Sequence, residues 1–264
     1  VVRRSAVGWG AALALGAACV ALVLWPGRSR VECGKGFSRV GARCLPGDGC
    51  PAPLERSDNG SCDAKLRVLV PKTKLTVGAS DWEAEGQVAS RTLEAGPLWI
   101  DAFEATRASF AGGQVGDPLR AASAMTRDEA AAYCLRRDGR LPTEDEWIAA
   151  AAGLGGHRYP WGETGAVCRR AAFGLARGPC SFEGDGPDTV GAHEEGDSAR
   201  GVHDLAGNVA EWVAPRPGAE GVGVAKGGSW RSELAAELRV WARLEVDPAA
   251  RDDRVGVRCA YDAP

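Results

Sequence analysis

The chain is short of several features that would classify a protein at once. Its 32 lysines and arginines are balanced by 35 acidic residues, and the signs are interspersed, for a net charge of -3. That leaves no basic face for nucleic acid, and no nucleic-acid partner is expected. Histidine is limited to His157, His193 and His203. None lies at ligand spacing from another, which argues against a histidine metal centre. No Gly-x-Ser-x-Gly segment marks a hydrolase nucleophile. No cysteines pair as Cys-x-x-Cys, so a zinc knuckle is disfavoured. Tyrosine and phenylalanine are scarce, at three and five, against nine tryptophans and 36 glycines. This balance favours a compact, loop-rich domain over a helical bundle. No internal repeat is visible.

What is present divides the chain into segments. Residues 5–25 form an almost uninterrupted apolar run, Ser5 to Trp25. As a helix it would span about 31 Å, matching a hydrocarbon core of about 30 Å. Arg3 and Arg4 precede it, and Pro26, Arg28 and Arg30 follow. The expectation is a retained transmembrane anchor after a short cytoplasmic stretch, residues 1–4. A lipoprotein processed at Cys19 and a cleaved signal peptide are the competing readings. Eight of the nine cysteines lie beyond this run. An even number suits disulfides and places the bulk of the chain outside the cytosol, periplasmic or extracellular.

Residues 26–66 read as a Cys-rich linker. Cys33, Cys44, Cys50 and Cys62 sit among Gly, Pro, Asp and Ser. The segment is too short and polar for a core of its own, so disulfides would have to hold it. Three pairings are open, and the sequence does not choose among them.

Residues 67–264 read as the main domain. Leu66–Val70 and Lys74–Val77 are short strands split by Pro71. A further strand is expected over Trp99–Thr106. Two helices announce themselves by capping boxes. Thr126 with Glu129 opens the first, with Gly139 as its stop and Ala130, Tyr133, Cys134 and Arg137 on one face. Thr143 with Glu146 opens the second, which buries Trp147, Ala150 and Ala151 and ends at Gly153. Beyond Tyr159 regular structure is sparse.

Four segments then carry a resemblance. They are Arg140-Leu-Pro-Thr-Glu-Asp-Glu-Trp147, Tyr159-Pro-Trp-Gly162, Gly201-Val-His-Asp-Leu-Ala-Gly-Asn-Val-Ala-Glu-Trp212 and Lys226-Gly-Gly-Ser-Trp230. In order and spacing they resemble the formylglycine-generating enzyme, or sulfatase-modifying factor, family. The likeness runs from about Val68 to Ala260. It implies an α+β, C-type-lectin-like fold with little regular secondary structure.

That family's oxidase holds copper on two cysteines. Here Ser232 and Glu237 occupy those positions. A hydroxyl and a carboxylate are hard ligands, unsuited to Cu(I), so no copper is expected. The competing reading makes both ordinary surface residues. The resemblance also implies a calcium site at Asn208 and Glu211, with backbone oxygens of Gly207 and Val209. Its alternative has Asn208 bracing a turn and Glu211 paired with an arginine. A second family calcium site is in doubt, because Ala171 and Ala172 stand where an asparagine is usual. Asp185 and Asp188 are the nearby acids. The resemblance further implies a Cys134–Cys259 disulfide, with a free catalytic thiol as the alternative. Cys168 and Cys180 are expected to pair locally.

The expected function is a membrane-anchored, extracytoplasmic pseudoenzyme: a non-catalytic binding or scaffolding module for a peptide, protein or glycan. The alternative is an enzyme of the same family whose site does not depend on the cysteine pair.

Overall fold

A computed structural model describes residues 67–78, 89–110, 116–181 and 184–264, together with the backbone of four short strands farther upstream. Those are β1 (Phe37–Val40), β2 (Arg43–Pro46), β3 (Glu55–Arg56) and β4 (Cys62–Asp63), which form two antiparallel pairs. The apolar run Ser5–Trp25 and the pairing of Cys33, Cys44, Cys50 and Cys62 lie outside the described residues. Among the described residues no helix is long and apolar enough to cross a membrane.

The domain opens with β5 (Arg67–Val70) and β6 (Thr73–Val77), separated at Pro71 as the sequence predicts. In β6, Leu75 and Val77 turn inward while Lys74 and Thr76 face solvent, the two-residue alternation of a half-buried strand. It pairs antiparallel with β7 (Arg91–Ala95). β8 (Leu98–Asp101) lies between β5 and the last strand, β13 (Ala260–Asp262), in a three-stranded sheet. A second sheet has the order β11 (Leu244–Val246), β10 (Gly223–Lys226), β9 (Ala210–Trp212), β12 (Val255–Gly256), with β12 parallel to β9. The expected Trp99–Thr106 strand ends early. β8 stops at Asp101, and Thr106 makes only an isolated bridge to Ala121. In between, the backbone turns to bury Glu104.

Both capping boxes form as expected, on α1 (Arg127–Leu135) and α2 (Glu144–Ala151). Ala130, Tyr133 and Cys134 are the buried face of α1. Gly139 does not supply the left-handed stop. Asp138 does, at φ 59°, while Gly139 donates its N–H to the Cys134 carbonyl at 2.9 Å. Gly139 is needed for another reason: a methyl there would lie 2.6 Å from the Tyr261 ring.

α2 is the centre of the larger core. Trp147 and Ile148 pack with Val70, Leu98 and Ile100 from the first sheet and with Leu205 and Val240 from later loops. Burying a side chain of this kind contributes about 1.5–3 kcal/mol. α1 packs instead on Met125, Trp212 and Val257. The Cys134–Cys259 disulfide crosses this second core, with both cysteines wholly buried, and it joins residues 125 apart. Cys168 pairs with Cys180, 12 residues away.

Candidate functional site

Two of the segments that carry the resemblance, through Trp147 and Glu211, meet at one buried ion pair. Glu211 on β9 and Arg258, just ahead of β13, are both fully buried. Arg258 Nη2 donates to Glu211 Oε1 at 2.8 Å, and Nε donates to both carboxylate oxygens at 3.0 and 3.1 Å. Trp147 of α2 donates its indole N–H to Glu211 Oε2 at 2.7 Å. Arg258 also donates to the carbonyls of Asp101 at 3.0 Å and His203 at 2.6 Å. Burial works against the charged guanidinium, but the carboxylates, Glu211 first and then Glu104 and Asp204, together outweigh it and hold Arg258 above its ordinary value.

Asn208 is a second hub. It adopts φ 52°, a left-handed conformation that asparagine tolerates better than most residues. Its Oδ1 accepts from the Asp188 N–H at 2.8 Å, and its Nδ2 donates to Glu104 Oε2 at 2.6 Å. Its backbone N–H donates to Ala172, and its carbonyl accepts from Trp230, both at 2.8 Å. The preceding Gly207 sits at φ 86°, where a methyl would lie 2.5 Å from the Ala172 carbonyl. Only glycine fits there.

Calcium was expected at Asn208 and Glu211, and in this geometry both side chains already have protein partners. Calcium asks for six to eight oxygens at about 2.3–2.6 Å. Both Glu211 oxygens are taken by a guanidinium and an indole, and both ends of the Asn208 amide are hydrogen-bonded. The donor set does not fit a second cation beside Arg258. The turn-bracing and arginine-pairing alternatives describe the geometry. Among the described residues no group of three or more His, Cys, Asp or Glu side chains could hold a metal ion. The second candidate set is likewise engaged. Asp185 pairs with Arg120 at 2.8 Å, and Asp188 faces His193 at 3.4 Å. The histidines go to separate carboxylates: His157 to Glu163, His193 to Asp188 and His203 to Asp197.

Glu104 was not singled out by the sequence, and Asp204 and Lys226 appeared there only as members of their segments. Glu104 accepts from Asn208 and from the Val209 N–H at 3.1 Å. Burial, then the charges of Asp204 and Glu211, hold its carboxyl well above the usual range. Burial also raises Asp204. Lys226 is wholly buried and lies opposite Glu211 in the β9–β10 register. Its ammonium approaches Glu144 at 3.4 Å, and burial, opposed by Glu144, lowers its pKa to about 8. Glu144, the first residue of α2, also takes Arg216 at 2.6 Å and Arg243 at 3.4 Å. The lysine of the Lys226-Gly-Gly-Ser-Trp230 segment thus serves a buried charge network.

Ser232 and Glu237 meet on a surface cleft of about 410 Å³, together with Ser229, Arg231, Arg243 and Arg254. Ser232 is buried at 7% exposure, and its Oγ accepts the Ser229 N–H at 3.1 Å, so it is not an ordinary surface residue. Glu237 is exposed, on a single 3₁₀ turn over Ala235–Leu238. No histidine lines this cleft to serve as a base. Arg231 and Arg254 are held by Asp253 and Asp252.

Residues 122–263 match the family model described as the sulfatase-modifying factor enzyme 1-like domain. The chain is 35% identical over 146 residues to a Mus musculus protein named inactive C-alpha-formylglycine-generating enzyme 2, covering 52% of this chain and 47% of that protein. It therefore spans about half the length of that relative. It is 29% identical over 215 residues to a formylglycine-generating enzyme from Streptomyces coelicolor, covering 72% of this chain and 67% of that one. Among solved structures, PvdO from Pseudomonas aeruginosa superposes with a TM-score of 0.61 at 20% identity, over 81% of this chain and 99% of that one. The match to the family model spans more than half of the sequence, and the chain belongs to the sulfatase-modifying factor enzyme 1-like family.

Proposed function

We propose that this chain is a non-catalytic member of its family, and that its cleft binds a segment of a peptide, protein or glycan. The observation that carries the reading is the pair Ser232 and Glu237 on a single cleft wall, at the positions where the resemblance places copper-binding cysteines. Neither side chain offers the soft thiolate that Cu(I) requires. The cleft volume falls within the range of about 300–1,000 Å³ common for small-ligand pockets. Its lining mixes three arginines, a carboxylate and two hydroxyls with an apolar floor of Ala236, Ala242 and Leu244. That mixture offers both hydrogen-bonding groups and apolar surface to a ligand. The similarity to a mammalian protein named as inactive supports the same reading.

The proposal includes an N-terminal anchor at residues 5–25 and display outside the cytosol. An apolar run of spanning length and two disulfides in the domain support it.

The test is direct. The full chain, incubated with copper and a cysteine-bearing sulfatase-type peptide, should yield no aldehyde above a no-protein control. Aldehyde that accumulates in proportion to the protein would overturn the non-catalytic reading.

A further inference from the structure

A second cavity, of about 270 Å³, is lined by the chain that leaves β9 and by β10 and β11. Val213, Pro215, Val222 and Val224 give it apolar walls, and Glu144, Arg216, Arg243 and Glu245 supply its charges. Pockets for drug-sized ligands run from about 300 Å³ upward, so this one suits a smaller group.

Glu144 is the buried acid of the cavity. Its Oε2 accepts from Arg216 Nη2 at 2.6 Å, while Lys226 Nζ and Arg243 Nε each stand 3.4 Å from Oε1. Strong charge-assisted bonds between nitrogen and oxygen run about 2.7–2.9 Å, so Arg243 is held loosely. One carboxylate therefore faces three cations. The neighbouring Asp145 is taken by Arg91 at 2.7 Å. Glu245, the other acid of the lining, is exposed, and solvated charges compensate little. The excess is felt inside the protein. Beyond the effect of burial, and against the pull of Glu144, Arg243 pushes the Lys226 amine down.

We infer that this cavity binds a carboxylate carried on a short aliphatic group. The ligand carboxylate would accept from Arg216 and Arg243, whose planar forks match it, and its apolar part would lie on Val213, Val222 and Val224. A free short-chain acid and the C-terminal residue of a peptide share this chemistry. Arg243 also lines the Ser232–Glu237 cleft, but Arg216 and Val222 do not. The site therefore stands or falls separately from the function proposed for that cleft.

Calorimetric titration of the full chain with pentanoate, with N-acetyl-alanyl-valine and with pentanamide, at constant ionic strength, tests the site. Both carboxylates should bind saturably, and the amide, which keeps the shape without the charge, should not. Arg216→Gln and Arg243→Gln should each weaken binding about tenfold or more. Val222→Asp guards against misfolding of those variants. Val222 is 46% exposed, so the substitution sets a like charge beside the ligand and leaves Glu144 and its partners intact. Binding should be lost while the melting temperature holds. Arg136→Gln, exposed at the end of α1 and outside the lining, should leave binding unchanged. Tighter binding of the dipeptide than of pentanoate would support the site and identify a peptide C-terminus as its ligand. The reverse order would support it with a free acid. Absence of saturable binding by both carboxylates, equal binding of pentanamide, or binding that persists in Arg216→Gln, Arg243→Gln and Val222→Asp would overturn the proposal.

Discussion

Glu211→Gln should lower the melting temperature by roughly 6–20 °C, and by the same amount in chelator and in millimolar calcium. The substitution keeps the shape but removes the charge that compensates Arg258, which is wholly buried. Leaving one member of a buried pair uncompensated costs about 3–5 kcal/mol. A domain of this size loses about 2–4 °C for each kcal/mol. A structural pair and a calcium ligand predict different scans. If Glu211 held calcium, the mutation would matter mainly with calcium present, and the wild-type protein would melt higher with the ion than with chelator. Such an ion-dependent difference would retire the structural assignment. Equal losses under both conditions would support it.

The second large effect is expected at the Cys134–Cys259 disulfide. In the chain-entropy account, closing a loop across 125 residues contributes about 5 kcal/mol, against about 3 kcal/mol for the 12-residue separation of Cys168 and Cys180. Replacing Cys134 and Cys259 together by alanine should therefore lower the melting temperature by about 10–20 °C. Replacing Cys168 and Cys180 should cost visibly less. Thermal scans of the two double variants, each under non-reducing conditions, separate the contributions. Equal melting of wild type and Cys134→Ala/Cys259→Ala would show that the bond does not constrain the chain.

The sequence was most informative where the controlling interactions are local. Thr126 with Glu129 and Thr143 with Glu146 act over three residues, and both helices start where these boxes place them. Pro71 splits β5 from β6 for an equally local reason. The strand expected to reach Thr106 was drawn too long, because the turn after Asp101 is set by distant contacts. Glu104 must reach Asn208 and the Val209 N–H, more than a hundred residues onward. No spacing rule connects those positions.

The same distance effect explains the candidate site. The resemblance drew attention to Asn208, Glu211 and the Lys226 segment, and the partners that engage them come from elsewhere in the chain. Arg258 lies 47 residues beyond Glu211, and Trp147 lies 64 before it. Trp147 was legible as part of its own segment, whereas Arg258 lies beyond all four. Their meeting on one carboxylate follows only from the packing of α2 against β9 and the approach to β13. Lys226 illustrates the point with charge. The β9–β10 pairing carries this lysine inside, where Glu144 offsets part of its burial. Ser232 and Glu237 were read from the resemblance as a pair of positions. That they share a cleft, one buried and one exposed, required the turn over Ala235–Leu238.

On the proposed reading, this domain keeps the family's scaffold without a thiolate pair to hold copper. Competitive Cu(I) titration against a colorimetric chelator tests it most directly, using the full chain with Cys19→Ser and its counterpart that also carries Ser232→Cys and Glu237→Cys. Oxidative folding keeps the native disulfides closed in both, and the two added thiols are reduced selectively before titration. The protein with Ser232 and Glu237 should take no copper from the chelator, and the variant should hold one ion per chain. Stoichiometric, tight copper binding by the protein that lacks the added cysteines would show that Ser232 and Glu237 do not abolish a copper site.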